Sequence, residues 1–154
     1  MRGVNVKGDS LVGQLFAGRF QVESRLGSGG MGAVYLARHE VLQRQLALKV
    51  IRKDLLADLN VAARFQREAR AASQIEHPNI IRTFDFGQAE DGRLYMAMEY
   101  AEGLTLEEVL ARDGVFPVPR ALDVAAQVAD ALGAAHAANV IHRDLKPSNI
   151  LLVH

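Results

Sequence analysis

Four glycines within six residues, Gly27-Ser28-Gly29-Gly30-Met31-Gly32, stand between two segments that both alternate in period two. Before them Phe20, Val22 and Leu26 share one strand face, interrupted by Ser24, and after them residues 33–38 predict a second strand returning antiparallel. This combination restricts the fold sharply. A dinucleotide-binding turn needs a helix straight after its glycines, and a Walker-type loop needs Gly-Lys followed by Ser or Thr; neither follows here. What remains is a β-hairpin with a glycine tip. Such a tip lets backbone N–H groups approach phosphate oxygens closely. On a bare match to Gly-x-Gly-x-x-Gly-x-Val, a plain flexible hairpin is an equally good reading.

The same alternation continues over residues 45–51, with Leu46, Leu48 and Val50 on one face and Ala47 and Lys49 on the other. From 58 to 75 the period becomes helical: Phe65, Ala69 and Ala72 recur on one side, with Arg64, Arg67 and Arg70 largely on others. Pro78 and Asn79 end that helix near Glu76. Two more strands are predicted over 80–86 and 94–100, joined by a turn at Glu90-Asp91-Gly92. Thr105 and Glu108 have capping-box spacing for a short helix ending near Gly114. A longer helix over 120–138 carries the apolar stripe Leu122, Ala125, Val128, Ala129 and Leu132. Short strands are expected at Val140-Ile141 and over 150–153. Residues 1–18 are Gly-rich and weakly patterned, and read as a leader or loosely packed extension.

Composition removes several functions from consideration. The 154 residues balance 18 basic against 18 acidic side chains, which gives no bulk attraction to nucleic acid or membrane. No cysteine is present, so disulfides and thiolate metal sites are excluded. No apolar run approaches the ~20 residues that span a bilayer. The expectation is a cytoplasmic chain.

Three further features carry chemistry. Lys49 lies on a strand among Leu, Ala and Val, where an ammonium is costly unless paired or able to snorkel to water. Glu68, on the next helix beside the Phe65–Ala72 stripe, is a carboxylate that can answer it, although a lone helix glutamate is more often a solvated charge. Near the end stands His142-Arg143-Asp144-Leu145-Lys146-Pro147-Ser148-Asn149. This octapeptide fits a catalytic loop in which an aspartate accepts a hydroxyl proton and an asparagine five residues on holds magnesium.

Taken together, the glycine loop from Leu26 to Val34, Lys49, Glu68, His77-Pro78-Asn79-Ile80 and the octapeptide resemble the first part of a eukaryotic-type (Hanks-type) serine/threonine protein kinase domain, most like its bacterial branch. The resemblance implies an α+β, bilobal kinase-like fold: a five-stranded antiparallel N-lobe with one regulatory helix, then a truncated helical C-lobe. The implied boundaries are an extension over 1–19 and an incomplete kinase domain over 20–154. Within it the N-lobe covers about 20–98, the hinge 99–103 and a partial C-lobe 104–154.

It also implies roles for individual residues. Lys49 would hold the α- and β-phosphates of ATP, with Glu68 as its ion-pair partner. Gly27, Ser28, Gly29, Gly30, Met31 and Gly32 would cover the phosphates, and Leu26, Val34 and Ala47 would enclose the adenine. Met98 falls at the gatekeeper position, with the backbone of Glu99 and Ala101 on the adenine edge. Asp144 would be the catalytic base, Lys146 would neutralise γ-phosphate charge and Asn149 would ligate Mg2+. The implied activity is transfer of the γ-phosphoryl group to Ser or Thr hydroxyls of a protein. The alternative is an inactive nucleotide-binding or regulatory fragment.

Asp85-Phe86-Gly87 spells the family's second magnesium motif, but it precedes the hinge and sits in a predicted strand. The functional tripeptide is expected past His154, which leaves one magnesium ligand missing and the chain with at most trace activity. The stripe Leu122–Leu132 is expected to lack cover and to offer a face for association.

Overall fold

The computed structural model describes residues 11–153. Expectations for residues 1–10 and for His154 lie outside the described residues. The described residues divide into two compact units, one of residues 11–69 and 83–100, the other of 70–82 and 101–153.

The first unit is a six-stranded antiparallel sheet in the order β1-β2-β3-β4-β6-β5. Its strands are β1 (Leu15–Phe16), β2 (Phe20–Ser28), β3 (Gly32–His39), β4 (Gln45–Ile51), β5 (Thr83–Gln88) and β6 (Leu94–Glu99), with α1 (Leu59–Ser73) inserted after β4. Alternation assigns the two faces. Phe20, Val22, Ala33, Tyr35, Ala37, Leu46, Leu48, Val50, Tyr95 and Ala97 build one continuous core, called here the back face. On the opposite, front face a smaller cluster of Ile51 and Leu94 packs against Phe65 and Ala69 of α1. The helix therefore forms where its 3.6-residue apolar stripe finds the end of the sheet.

The sixth strand corrects the expectation of a loosely packed extension. Leu11 and Phe16 are 4% and 3% exposed and belong to the back-face core. Phe16 meets the Tyr95 ring edge-on at 5.7 Å, and the Arg93 guanidinium lies 5.3 Å from its centroid. Arg19 bonds to the Tyr95 hydroxyl and pairs with Asp85 at 3.0 Å. Without this segment the back face would present Phe20 and Tyr95 to water. The signal was too short for period-two analysis, because β1 contains two residues and is bracketed by Gly13 and Gly18 at positive φ.

Leu26 also departs from expectation. Register slips between Val22 and Ser24 and again between Arg25 and Gly27, so Leu26 leaves the Phe20–Val22 face and is 46% exposed. The strand expected over 80–86 starts later, at Thr83, because Ile80 folds back to bond the His77 carbonyl at 3.1 Å.

The second unit contains β7 (Gly103–Thr105), α2 (Leu106–Asp113), α3 (Val118–Ala137) and β8 (Leu151–Val153), with β7 and β8 paired antiparallel. The capping box forms as its spacing predicts. Thr105 Oγ1 accepts from the Glu108 N–H at 3.2 Å, and the Glu108 carboxylate accepts from the Thr105 N–H at 2.7 Å. Residues 70–82 belong to this unit through polar bonds to α3. His77 Nε2 donates to Asp130 at 3.1 Å while its Nδ1 accepts from the Asn79 N–H, and Asn79 Nδ2 donates to Gln127 at 2.9 Å.

Val140-Ile141 is not a strand. Asn139 takes a left-handed φ of 60°, the Val140 N–H bonds the Ala135 carbonyl and the Asn139 N–H bonds that of His136, which together close α3 as a Schellman motif. On α3, Leu122 is 64% exposed and only Ala135 is buried.

Candidate functional site

In the first unit the candidate residues gather on the front face. Gly29 donates to the Gly32 carbonyl at 2.9 Å and closes the hairpin tip between β2 and β3. The glycines of this tip differ in what requires them. A Cβ on Gly32 would meet the Val50 carbonyl oxygen at 2.0 Å, so β3–β4 pairing alone demands glycine there. A Cβ on Gly27, Gly29 or Gly30 would meet nothing within 4 Å, and none of the three takes a positive φ. Packing does not explain them. The space above the loop is free for another group, which fits a phosphate chain.

Ladder pairing sets the surroundings of Lys49. It stands opposite Val34 of β3 and Met96 of β6, and Ala47 stands opposite Leu36 and Met98. Directly paired residues point to the same face. Val34, Leu36, Ala47, Met96 and Met98 thus make an apolar, largely half-buried floor with one ammonium set in it. Glu99 ends β6 opposite Leu46. Ala101, the other backbone position expected on the adenine edge, begins the second unit and is half-buried.

The implied pair between Lys49 and Glu68 is not formed. Glu68 is exposed and lies 3.9 Å from Arg64, one turn earlier on α1, and among the described residues Lys49 has no ion-pair partner. The reason is geometric: at 100° per residue Glu68 sits on the flank of α1, beside the buried stripe but outside it. Arg64 also reaches the glycine loop, with Nη2 3.7 Å from Met31 Sδ. Sequence reading missed Arg64, whose spacing of four residues from Glu68 was the available signal.

Asp85-Phe86-Gly87 is disposed as a strand, not as a metal loop. Asp85 pairs opposite Ala97 on the back face and bonds Arg19, whereas Phe86 packs toward α1 on the front. Asp85 therefore points away from Lys49.

In the second unit the octapeptide forms one polar cluster. Asn149 Nδ2 donates to the Asp144 carbonyl at 2.7 Å and to its carboxylate at 3.2 Å. Lys146 Nζ stands 3.2 Å from the same carboxylate oxygen, and this hydrogen bond is the main cause holding the Asp144 carboxyl below its usual range. His142 Nδ1 accepts from the Asp144 N–H at 3.3 Å, a structural role for that ring. The sharp path between them is made by Arg143 in a left-handed conformation, φ 63°, which costs a non-glycine residue about 1 kcal/mol. A short 3-10 turn at Pro147–Asn149 then leads to Ile150, whose carbonyl accepts from the Leu106 N–H at 2.8 Å.

The donor set bears on magnesium. With its amide nitrogen bound to Asp144, Asn149 presents Oδ1, a hard oxygen suited to Mg2+. No group of three His, Asp or Glu side chains converges among the described residues. These residues fit a magnesium ion that takes most of its shell from phosphate oxygens and water, as that ion commonly does.

Comparison with known proteins identifies the family. The protein kinase domain family matches residues 20–154. The serine/threonine-protein kinase pkn3 of Myxococcus xanthus is 49% identical over 144 residues, covering 94% of this chain and 26% of that protein. PrkC of Bacillus subtilis is 42% identical over 144 residues, covering 94% and 22%. The crystal structure of the Mycobacterium tuberculosis PknI kinase domain superposes with a TM-score of 0.80 at 37% identity, covering 92% of this chain and 57% of that one. The chain belongs to the protein kinase family and has its fold. It spans about a quarter of the length of these two relatives.

Proposed function

We propose that this chain carries the nucleotide-binding and catalytic-loop parts of an ATP-dependent serine/threonine protein kinase. In the reaction the hydroxyl oxygen of a Ser or Thr attacks the γ-phosphorus of ATP, the bond to the β-γ bridging oxygen breaks and ADP leaves. Asp144 takes the hydroxyl proton. Lys146 offsets charge on the transferring group, and Lys49 holds the α- and β-phosphates below the glycine tip. Val34, Ala47 and Met98 provide the apolar surface for adenine, with backbone groups of Glu99 and Ala101 for its edge. Asn149 would hold Mg2+, which when bound neutralises phosphate charge.

The observation that supports this reading most is the convergence of Lys146 and Asn149 on the one carboxylate of Asp144. That arrangement keeps the carboxylate ionised and fixes its position in the loop. A second reading, nucleotide binding without transfer, draws on Glu68 pairing with Arg64 rather than Lys49.

The tests separate the two. Titration with Mg-ATP should raise the melting temperature of the wild type, and Lys49→Met should weaken binding at least about tenfold. Equal binding by the two would overturn the assignment. Transfer of labelled phosphate to a Ser/Thr peptide, lost in Asp144→Asn, would favour the catalytic reading; binding without transfer would favour the second.

A further inference from the structure

Gly103 stands where the backbones of two short strands approach most closely. A Cβ at this position would meet the Leu152 carbonyl oxygen at 2.2 Å and its carbon at 2.9 Å, yet Gly103 takes no positive φ. Its place on β7 is therefore set by the approach of β8 and not by an unusual backbone conformation. From there a continuous seam runs toward the octapeptide. Gly103 lies opposite Val153, Leu104 opposite Leu152 and Thr105 opposite Leu151. The Leu106 N–H then donates at 2.8 Å to the carbonyl of Ile150, the residue directly after Asn149. A ladder of two three-residue strands is marginal alone, so each contact along it bears on where the loop ends.

We propose that Gly103 is a positioning residue for Asn149: the close β7–β8 seam, which a side chain at 103 would force apart, fixes the carboxamide that would hold Mg2+. The inference rests on the kinase reading of Asn149 and extends it to a residue outside the octapeptide. With its amide nitrogen bound to Asp144, Asn149 has one oxygen to offer, and the direction of that oxygen follows from where its backbone stands. Two anchors set that backbone. Inside the loop the Asn149 N–H donates to the Lys146 carbonyl at 2.9 Å; outside it Leu106 holds Ile150. The Thr105–Glu108 capping box braces the outer anchor, because it secures the helix start that carries the Leu106 N–H. Groups that orient a metal ligand from behind commonly change metal affinity by about ten- to a hundredfold when removed.

The test uses the whole chain and ADP, with binding measured by calorimetry without metal and then across a Mg2+ series. The quantity read is the ratio of Mg2+-loaded to metal-free affinity, which a general loss of stability would not move. Gly103→Ala should lower this ratio about tenfold. Leu106→Pro is the second variant and serves where Gly103→Ala folds poorly. It deletes the N–H that bonds Ile150, while proline suits the first helical position and the extended Thr105 before it, at φ −65° and ψ 152°. It should lower the ratio in the same direction. Gly133→Ala on α3, where a Cβ meets nothing within 4 Å, should leave the ratio at the wild-type value. A wild-type ratio in folded Gly103→Ala or Leu106→Pro, or an equal fall in Gly133→Ala, would overturn the positioning role. A wild type whose ADP affinity ignores Mg2+ would sink the metal assignment of Asn149 itself. The seam is then scored by hydrogen exchange: the Leu106 and Asn149 amides should exchange at least about tenfold faster in Gly103→Ala, and unchanged exchange would overturn the seam too.

Discussion

The two faces of the six-stranded sheet use the same strands for opposite purposes. On the back face large side chains are fully buried, and the polar groups among them are matched: Arg19 satisfies both Tyr95 and Asp85. On the front face Lys49 has no acidic partner among the described residues, and its neighbours Val34, Met96 and Met98 are only half-buried. Burying a charge beside apolar groups costs free energy unless something pairs it. The front face leaves that requirement open, and the back face lets the sheet tolerate it. Stability and chemistry are thus separated by the pleat, one residue apart along β4.

Substitutions can break or sharpen this division. The largest effect is expected from Phe16→Ala, which removes a buried ring from the back face; chemical denaturation should show a loss of about 3–5 kcal/mol. A loss below about 1 kcal/mol would mean that the segment before Phe20 is an accessory and not part of the core.

Next, Gly32→Ala should cost about 1–3 kcal/mol by forcing a methyl against the Val50 carbonyl. Gly30→Ala should leave stability within about 0.5 kcal/mol while weakening Mg-ATP binding. If both variants lose stability equally, the distinction between a packing glycine and a ligand-facing glycine fails.

The smallest effect concerns Glu23, at the rim between the faces. Hydrogen bonds from Gln45 and Arg38, at 3.0 and 2.8 Å, hold its carboxyl below the usual glutamate range. A depressed folded value means that this contribution is present above the unfolded glutamate value and is lost as pH falls through the depressed one. Glu23→Gln should therefore flatten slightly the acid limb of a melting-temperature profile and leave neutral-pH nucleotide binding unchanged. An unaltered acid limb would show that the pair contributes nothing.

Much of the candidate site was legible because its signals are local. The octapeptide His142–Asn149, the glycine tip and the Thr105–Glu108 cap each depend on residues within one turn or loop, and each forms accordingly. Other features were not legible, for identifiable reasons. Two bulges in β2 move Leu26 off its face, and a bulge leaves no mark in an alternating pattern. Asn139 closes α3 with a left-handed residue where two β-branched neighbours, Val140 and Ile141, suggested a strand. The partner of Glu68 depended on where the flank of α1 carries it, and there the cation within reach is Arg64, one turn earlier.

By itself the sequence determined the family, the hairpin beneath the glycine loop, the position of Lys49 on an apolar strand and the residues that surround Asp144. These follow from side-chain period and from motifs whose parts lie close along the chain. Only the tertiary structure decided that residues 11–19 complete the core, that Asp85 faces away from Lys49 and that Glu68 pairs with Arg64. Each of these is a contact between segments distant in sequence, or a competition between such a contact and a local one. Periodicity says which side of a strand or helix is apolar, and it carries no information about what arrives to cover it.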